Sequence, residues 1–236
     1  MKVNRLLIIA FAISCSGMFA NAAYAKDKLE DTCRAKNYKL SVIPKKMTVR
    51  EKKLRFRCLV QPTINQVYSE LTARYKAVSK AVKQHKDNQE MKLLRIKYKV
   101  KNNHELLKAI KPHLKSIAMA QAAMESAWGT SRFFTNANNI FGLWSFNKKE
   151  PRLAAGKKRG NKTIWIKKYR SIKESIEDYY LVLARGRSFG EFRNLKMKSS
   201  DPYKLVAKLD RYSEKGAVYS KKLASMIRFN KLHQLD

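Results

Sequence analysis

The segment Ala120-Gln121-Ala122-Ala123-Met124-Glu125-Ser126-Ala127-Trp128-Gly129-Thr130-Ser131 constrains this chain more than any other stretch. Leu114, Ile117, Ala118, Gln121, Met124, Glu125 and Trp128 fall at helical spacing on roughly one face, and the residues between Ile117 and Glu125 are almost all Ala or Met. Glu125 therefore sits on the stripe that the helix would bury. Pro112 suits its first turn and Gly129 its stop. At its C-terminal end, beside the Trp128 indole, sits one carboxylate, Glu125. A buried carboxylate costs several kcal/mol unless neutralised or paired. Burial would raise its pKa and keep it protonated, which is what a general acid requires. A helix end that reaches solvent, with Glu125 an ordinary surface residue, is the other reading these residues allow.

The rest of the chain is organised around helices. Residues 26–60 are basic and poorly periodic and read as an extended or loop-rich arm. Thr63 and Gln66 after Pro62 fit a capping box opening a long amphipathic helix striped by Ile64, Val67, Tyr68, Leu71, Tyr75, Val78 and Val82. Asp87 and Asn88 mark a break, followed by helical pieces over Met91–Val100 and His104–Ile110. From Arg152 to Tyr169 the pattern changes to a hairpin, with Lys157 to Asn161 as turn and Thr163-Ile164-Trp165-Ile166 as a β-branched, aromatic strand. Ser171 and Glu174 cap another helix, a short one follows Asp201-Pro202, and Tyr219, Leu223, Met226 and Ile227 stripe the last.

The N-terminus reads as an export signal, residues 1–25. Lys2 and Arg5 form a basic n-region, Leu6 to Ala12 an apolar core too short to span a bilayer, and Ala23-Tyr24-Ala25 a cleavage site. The expected location is the periplasm or the exterior; Ala12-Ile13-Ser14-Cys15 loosely resembles a lipoprotein processing box but lacks its usual Leu. Loss of Cys15 with the signal leaves Cys33 and Cys58, an even pair that an oxidising compartment would join. The chain carries a net charge of +34; the signal supplies two of these and no acids, leaving +32. Such an excess favours an anionic partner: nucleic acid, phospholipid headgroups or a wall polymer with carboxylate-bearing stems. Export argues against nucleic acid. The expected division is 1–25 signal, 26–110 arm and helical subdomain, and 111–236 catalytic domain. No obligate protein partner is evident.

Chemistry narrows to carboxylates. His85, His104, His113 and His233 lack ligand spacing and no Gly-rich phosphate loop occurs, so no metal or other cofactor is expected. Between Glu125 and Glu174 the only acid is Glu150, flanked by Lys148 and Lys149. If the chemistry needs a second carboxyl group, Glu150 is the default partner of Glu125.

With Asn138-Asn139-Ile140-Phe141-Gly142-Leu143-Trp144 downstream, the Ala120–Ser131 segment resembles the central motif of bacterial peptidoglycan N-acetylglucosaminidases of glycoside hydrolase family 73, the Bax-like and FlgJ-like proteins with a mannosyl-glycoprotein endo-beta-N-acetylglucosaminidase-like domain. The resemblance runs from about Phe56 to Leu232. It implies a mainly α (α+β), lysozyme-like domain with a small β-hairpin lobe, preceded by an α-helical subdomain. It also implies an exported hydrolase cutting the β-1,4 bond after N-acetylglucosamine in peptidoglycan glycan strands, with Glu125 as acid. The tail Leu209–Ser220 resembles the family's tyrosine motif, and the assisting role maps to Tyr212, Tyr219 lying on the apolar stripe. Family members carry a second acid in the hairpin lobe; Arg152–Lys168 has none. Either Glu150 reaches in, or the substrate's own 2-acetamido group attacks the anomeric carbon. Trp128, Phe141 and Trp144 could face pyranose rings, with Trp165 a further candidate, and Asn139 could bond an acetamido group. The rival readings are a lytic transglycosylase or muramidase on the same polymer and an inactive wall-binding protein.

Overall fold

The computed structural model describes residues 29–160 and 162–236. The expected signal and Cys15 lie outside them. Two compact units divide between Lys39 and Leu40. In the first, residues 29–36 are helical (α1) and end at Asn37, which takes a left-handed φ of 43°. Cys33 and Cys58 are disulfide-bonded.

The second unit begins with a long helix, α2 (Val49–Lys83), which starts well before the expected capping box. Its N-cap is Thr48, whose hydroxyl accepts from the Glu51 N–H while the Glu51 carboxylate accepts from the Thr48 N–H. Pro62 lies inside the helix without ending it. A proline there forfeits one hydrogen bond and costs about 3 kcal/mol. Phe56 and Val60 before it and Ile64, Val67 and Leu71 after it are all buried in one continuous stripe. That burial, about 1.5–3 kcal/mol per large apolar side chain, outweighs the local penalty. Residues expected as a loop-rich arm are therefore helical from Val49, and α2 packs against the motif helix in a single core.

The next elements follow local signals. α3 (Gln89–Tyr98) is capped by Asn88 and α4 (Asn103–Ile110) by Asn102, each side-chain oxygen accepting a backbone N–H in the first turn. α5 (Lys115–Glu125) carries the motif and starts three residues after Pro112, with Leu114 as its N-cap. Ile117, Ala118, Met119, Ala120, Ala122 and Ala123 have no exposed surface, so the helix is enclosed on all sides. Small side chains let α2 and α10 (Ala217–Phe229) approach it closely.

After α6 (Arg132–Ala137) the chain forms an antiparallel hairpin, β1 (Arg152–Arg159) with β2 (Lys162–Lys167), its register shifting between Ala154 and Lys158. The shift is an irregularity of the kind that bends a ribbon. Trp144 bridges to Ile166 and ties the hairpin to the preceding loop. α7 (Ile172–Arg185), α8 (Gly190–Lys198) and α9 (Pro202–Val206) complete the body. In α7 the Ser171 hydroxyl accepts from the Glu174 N–H as expected, and the Glu174 carboxylate accepts from the Arg170 N–H. The fold is thus mainly α with one small β lobe. Among the described residues no helix is long and apolar enough to cross a membrane.

Candidate active site

At the end of α5 the chain makes a sharp exit. Ala127, Trp128 and Gly129 take φ values of 50°, 60° and 75°, three successive left-handed residues. Two of them carry side chains, which costs roughly 1–2 kcal/mol each. Ser126 holds the loop: its hydroxyl donates to the Ala122 carbonyl at 2.6 Å and accepts the Gly129 N–H at 2.9 Å. The Gly129 carbonyl accepts from Arg55 on α2 at 3.1 Å. A Cβ at Gly129 would meet Phe134 at 3.1 Å and Phe56 at 3.2 Å. Gly129→Ala is expected to lower stability by about 1–3 kcal/mol, measured by urea denaturation; an unchanged midpoint would mean the loop tolerates a side chain there.

Just before this exit, on the last turn of α5, the Glu125 carboxyl meets α10. Its Oε1 accepts a hydrogen bond from the Tyr219 hydroxyl at 3.0 Å. Burial raises the Glu125 pKa above the ordinary carboxylate value, opposed by the Tyr219 hydrogen bond and by the Lys215 charge. The Tyr219 oxygen in turn accepts from Gln121 Nε2 at 2.8 Å, one turn back on α5. The site therefore holds a carboxyl group that resists ionisation, with one of its two oxygens committed to a tyrosine.

The tyrosines divide differently from the assignment read in the sequence. Tyr219 is on the apolar stripe of α10 and 4% exposed, yet its hydroxyl reaches the carboxylate. Tyr212, in the 3-10 turn before α10, stacks on the Tyr219 ring with centroids 5.6 Å apart and donates to the Phe141 carbonyl at 3.3 Å. Burial, with the Glu125 charge adding to it, holds the Tyr212 pKa well above the usual phenol value. Glu150 sits at the base of the hairpin, where its Oε1 accepts from the Ser145 hydroxyl at 2.6 Å. The Tyr169 hydroxyl donates to Asp178.

The candidate sugar contacts also separate. Trp128 packs edge-on against Phe56 with Lys53 Nζ 5.1 Å from its ring. Phe141 is 2% exposed and stacks on Tyr179 at 3.8 Å, so it belongs to the core and offers no face to a ligand. Asn139 is buried as well: Nδ2 donates to the Leu143 and Lys167 carbonyls and Oδ1 accepts from the Leu143 N–H, bracing the loop against β2. With both amide hydrogens used, it is a structural brace, not a ligand contact. Trp144 is exposed and pairs with Phe146, centroids 6.2 Å apart. Phe146 went unnoticed in the sequence, although an exposed aromatic two residues from Trp144 is a detectable signal. Trp165 is covered by the Arg152 guanidinium at 4.1 Å.

The chain is similar to several known proteins. The chain is 31% identical over 121 residues to protein bax of Escherichia coli, covering 49% of this chain and 42% of that one. It is 33% identical over 102 residues to the exo-glucosaminidase LytG of Bacillus subtilis, covering 40% and 35%. The chain thus spans less than half the length of these curated relatives. Among solved structures, the catalytic domain of the autolysin Auto from Listeria monocytogenes aligns with a TM-score of 0.48 at 22% identity, covering 87% of this chain and 97% of that one. The glycoside hydrolase domain of FlgJ from Salmonella typhimurium aligns with a TM-score of 0.40 at 23% identity, covering 54% and 81%. The glucosaminidase family model, described as mannosyl-glycoprotein endo-beta-N-acetylglucosaminidase, matches residues 101–232, and the chain belongs to that family of glycoside hydrolases.

Proposed function

We propose that this chain is an exported peptidoglycan hydrolase that cleaves the β-1,4 bond after N-acetylglucosamine, with Glu125 as the general acid. The observation that carries the reading is the Glu125 carboxyl, partly buried among tyrosines with its pKa raised by burial, within the region that the family model matches. Protonating the leaving oxygen needs the acid form, so activity falls as pH rises through the Glu125 pKa. Burial moves that limb above the ordinary carboxylate range, toward neutral pH.

The second chemical role goes to the substrate. No acid occurs in the hairpin sequence from Arg152 to Lys168, and Glu150 is engaged by Ser145. The 2-acetamido oxygen of N-acetylglucosamine attacks the anomeric carbon as Glu125 protonates the departing oxygen, and orienting the acetamido group is assigned to Tyr212, whose ring stacks on Tyr219. Glu150→Gln is therefore expected to retain activity within about tenfold of wild type, whereas a nucleophile or base would cost about a thousandfold or more. Release of muropeptides from purified sacculi measures this, and a loss of the larger size would return Glu150 to the mechanism.

The exposed Trp144 and Phe146 supply a stacking platform beside the hairpin, and the +34 charge suits an anionic wall polymer. A single working carboxyl would also serve a lytic transglycosylase. Mass spectrometry of borohydride-reduced products separates the two: N-acetylglucosaminitol ends support the glucosaminidase reading, and 1,6-anhydromuramic ends replace it with the transglycosylase.

A further inference from the structure

Behind Glu125 lies a chain of hydrogen bonds with a single direction. The Tyr219 hydroxyl donates to Glu125 Oε1 (3.0 Å) and accepts from Gln121 Nε2 (2.8 Å). Gln121 Oε1 accepts from the Tyr179 hydroxyl at 2.6 Å. His113 Nε2 lies 2.9 Å from the Tyr179 oxygen. Since the hydrogen of Tyr179 is already directed at Gln121, this last bond requires a hydrogen on His113 Nε2. Every donor then points the same way, from His113 through Tyr179, Gln121 and Tyr219 to Glu125. All four residues behind the carboxyl are buried.

We propose that His113, Tyr179 and Gln121 are positioning residues that lock the Tyr219 hydroxyl as a donor to Glu125 Oε1, so that the acid proton resides on Oε2, the oxygen left for the substrate. This rests on Glu125 being the acid. Gln121 is the pivot, because an amide is the one group here with a donor end and an acceptor end that cannot exchange without turning over. With Tyr179 as donor to its oxygen, the amide nitrogen must face Tyr219. If the amide turned, Tyr219 would donate to Gln121 and Glu125 would lose its partner.

The far end of the chain is held in place. The His113 ring packs on Tyr180 at 4.4 Å and meets Phe192 at 5.5 Å. Just before it, Lys111 Nζ donates to the Lys196 carbonyl and Lys196 Nζ to the Lys111 carbonyl, pinning this segment to α8. Burial and the neighbouring Lys196 charge hold the His113 pKa well below its usual value, so the ring stays neutral, as a single-donor start requires. The groups that face the chain are therefore Lys196 from α8, Tyr179 and Tyr180 from α7, Tyr212 from the 3-10 turn, and Lys215 with Tyr219 at α10.

The test reads the Glu125 pKa directly, by carbon NMR titration of protein labelled at the glutamate carboxyls, with Glu125→Gln assigning the resonance. A hydrogen bond to the ionised carboxylate lowers its pKa, so losing it raises the value. Tyr219→Phe is expected to raise the Glu125 pKa by about half a unit or more. Tyr179→Phe, two links away, is expected to move it in the same direction by a smaller amount, and to add nothing in the Tyr219→Phe background. Tyr180→Phe is the control: also buried on α7, it keeps its ring against His113 and loses only a hydroxyl that donates to the His113 backbone carbonyl, outside the chain, so the pKa should stay unchanged. A Tyr179→Phe pKa equal to wild type, or a shift that persists without the Tyr219 hydroxyl, would overturn the relay. The titration does not depend on what the protein cleaves. On sacculi, Tyr179→Phe should lower kcat several-fold at unchanged KM; if wild type and Glu125→Gln prove equally active, the acid assignment falls and the proposal with it.

Discussion

Glu125→Gln is expected to reduce muropeptide release by at least a thousandfold while leaving the fold intact. General acid catalysis contributes about a hundred- to ten-thousandfold, and the upper range applies where no other group can supply the proton. Here the nearest ionisable neighbours are tyrosines, and burial together with the Glu125 charge pushes Tyr212 and Tyr219 well above the usual phenol value. The amide keeps an oxygen that can accept from Tyr219, so the local geometry survives. Stability should move the other way from activity. A carboxyl whose folded pKa lies above its unfolded one destabilises the protein at pH above the folded value, and the penalty disappears below the unfolded value. The variant should therefore melt higher than wild type at neutral pH and converge with it in acid. Residual activity above about a tenth of wild type, or a lower melting temperature at neutral pH, would remove Glu125 from the acid role.

How far the sequence reached depended on the distance between the groups concerned. The cap at Ser171, the break at Asp87 and Asn88, the short helix after Asp201-Pro202 and the stripe of α10 were legible because each is settled within a few residues, whereas the turn expected over Lys157–Asn161 is shorter, since β1 runs on to Arg159. The start of α2 was not. Proline is a strong local signal, but the decision was made by Phe56 and Val60, which bury against helices far along the chain. Glu125 was legible as an oddity, a carboxylate on an apolar face. Its partners were not, since Tyr219 is 94 residues away and the Gln121–Tyr179 bond joins positions 58 apart. Periodicity correctly faced Tyr219 inward and for that reason concealed its role, because a stripe reports which way a ring points and not what its hydroxyl meets. The same blindness affected Phe141 and Asn139, whose aromatic and amide character suggested ligand contact until burial and hydrogen bonding accounted for them.

Replacing Arg55 is expected to do the most structural damage of any single change near the site. Its guanidinium is 1% exposed and donates to three carbonyls, Gly129 at 3.1 Å, Leu40 at 3.0 Å and Val42 at 2.9 Å. One cation thus joins α2 both to the segment entering it and to the strained loop that follows Glu125. Charged hydrogen bonds contribute about 1.5–3 kcal/mol each, and a buried carbonyl left without a donor costs about 1–3 kcal/mol. Against this, Arg55→Met fills similar volume and removes the cost of burying a charge. The net loss should be about 2–4 kcal/mol, or roughly 5–12 °C in Tm for a domain of this size. Arg55→Lys should be at least as harmful although it keeps the charge, because one ammonium cannot span three carbonyls and leaves a buried cation with fewer partners. Activity should fall in both variants, since release of the Gly129 carbonyl loosens the loop that terminates α5 next to Glu125. Thermal denaturation with a sacculus assay decides the matter. If Lys restores wild-type Tm while Met does not, the charge matters and the geometry of the clamp does not. If neither variant lowers Tm by more than about 2 °C, desolvation of the guanidinium cancels what its hydrogen bonds contribute, and the exit loop holds its left-handed turn through Ser126 and Gly129 alone.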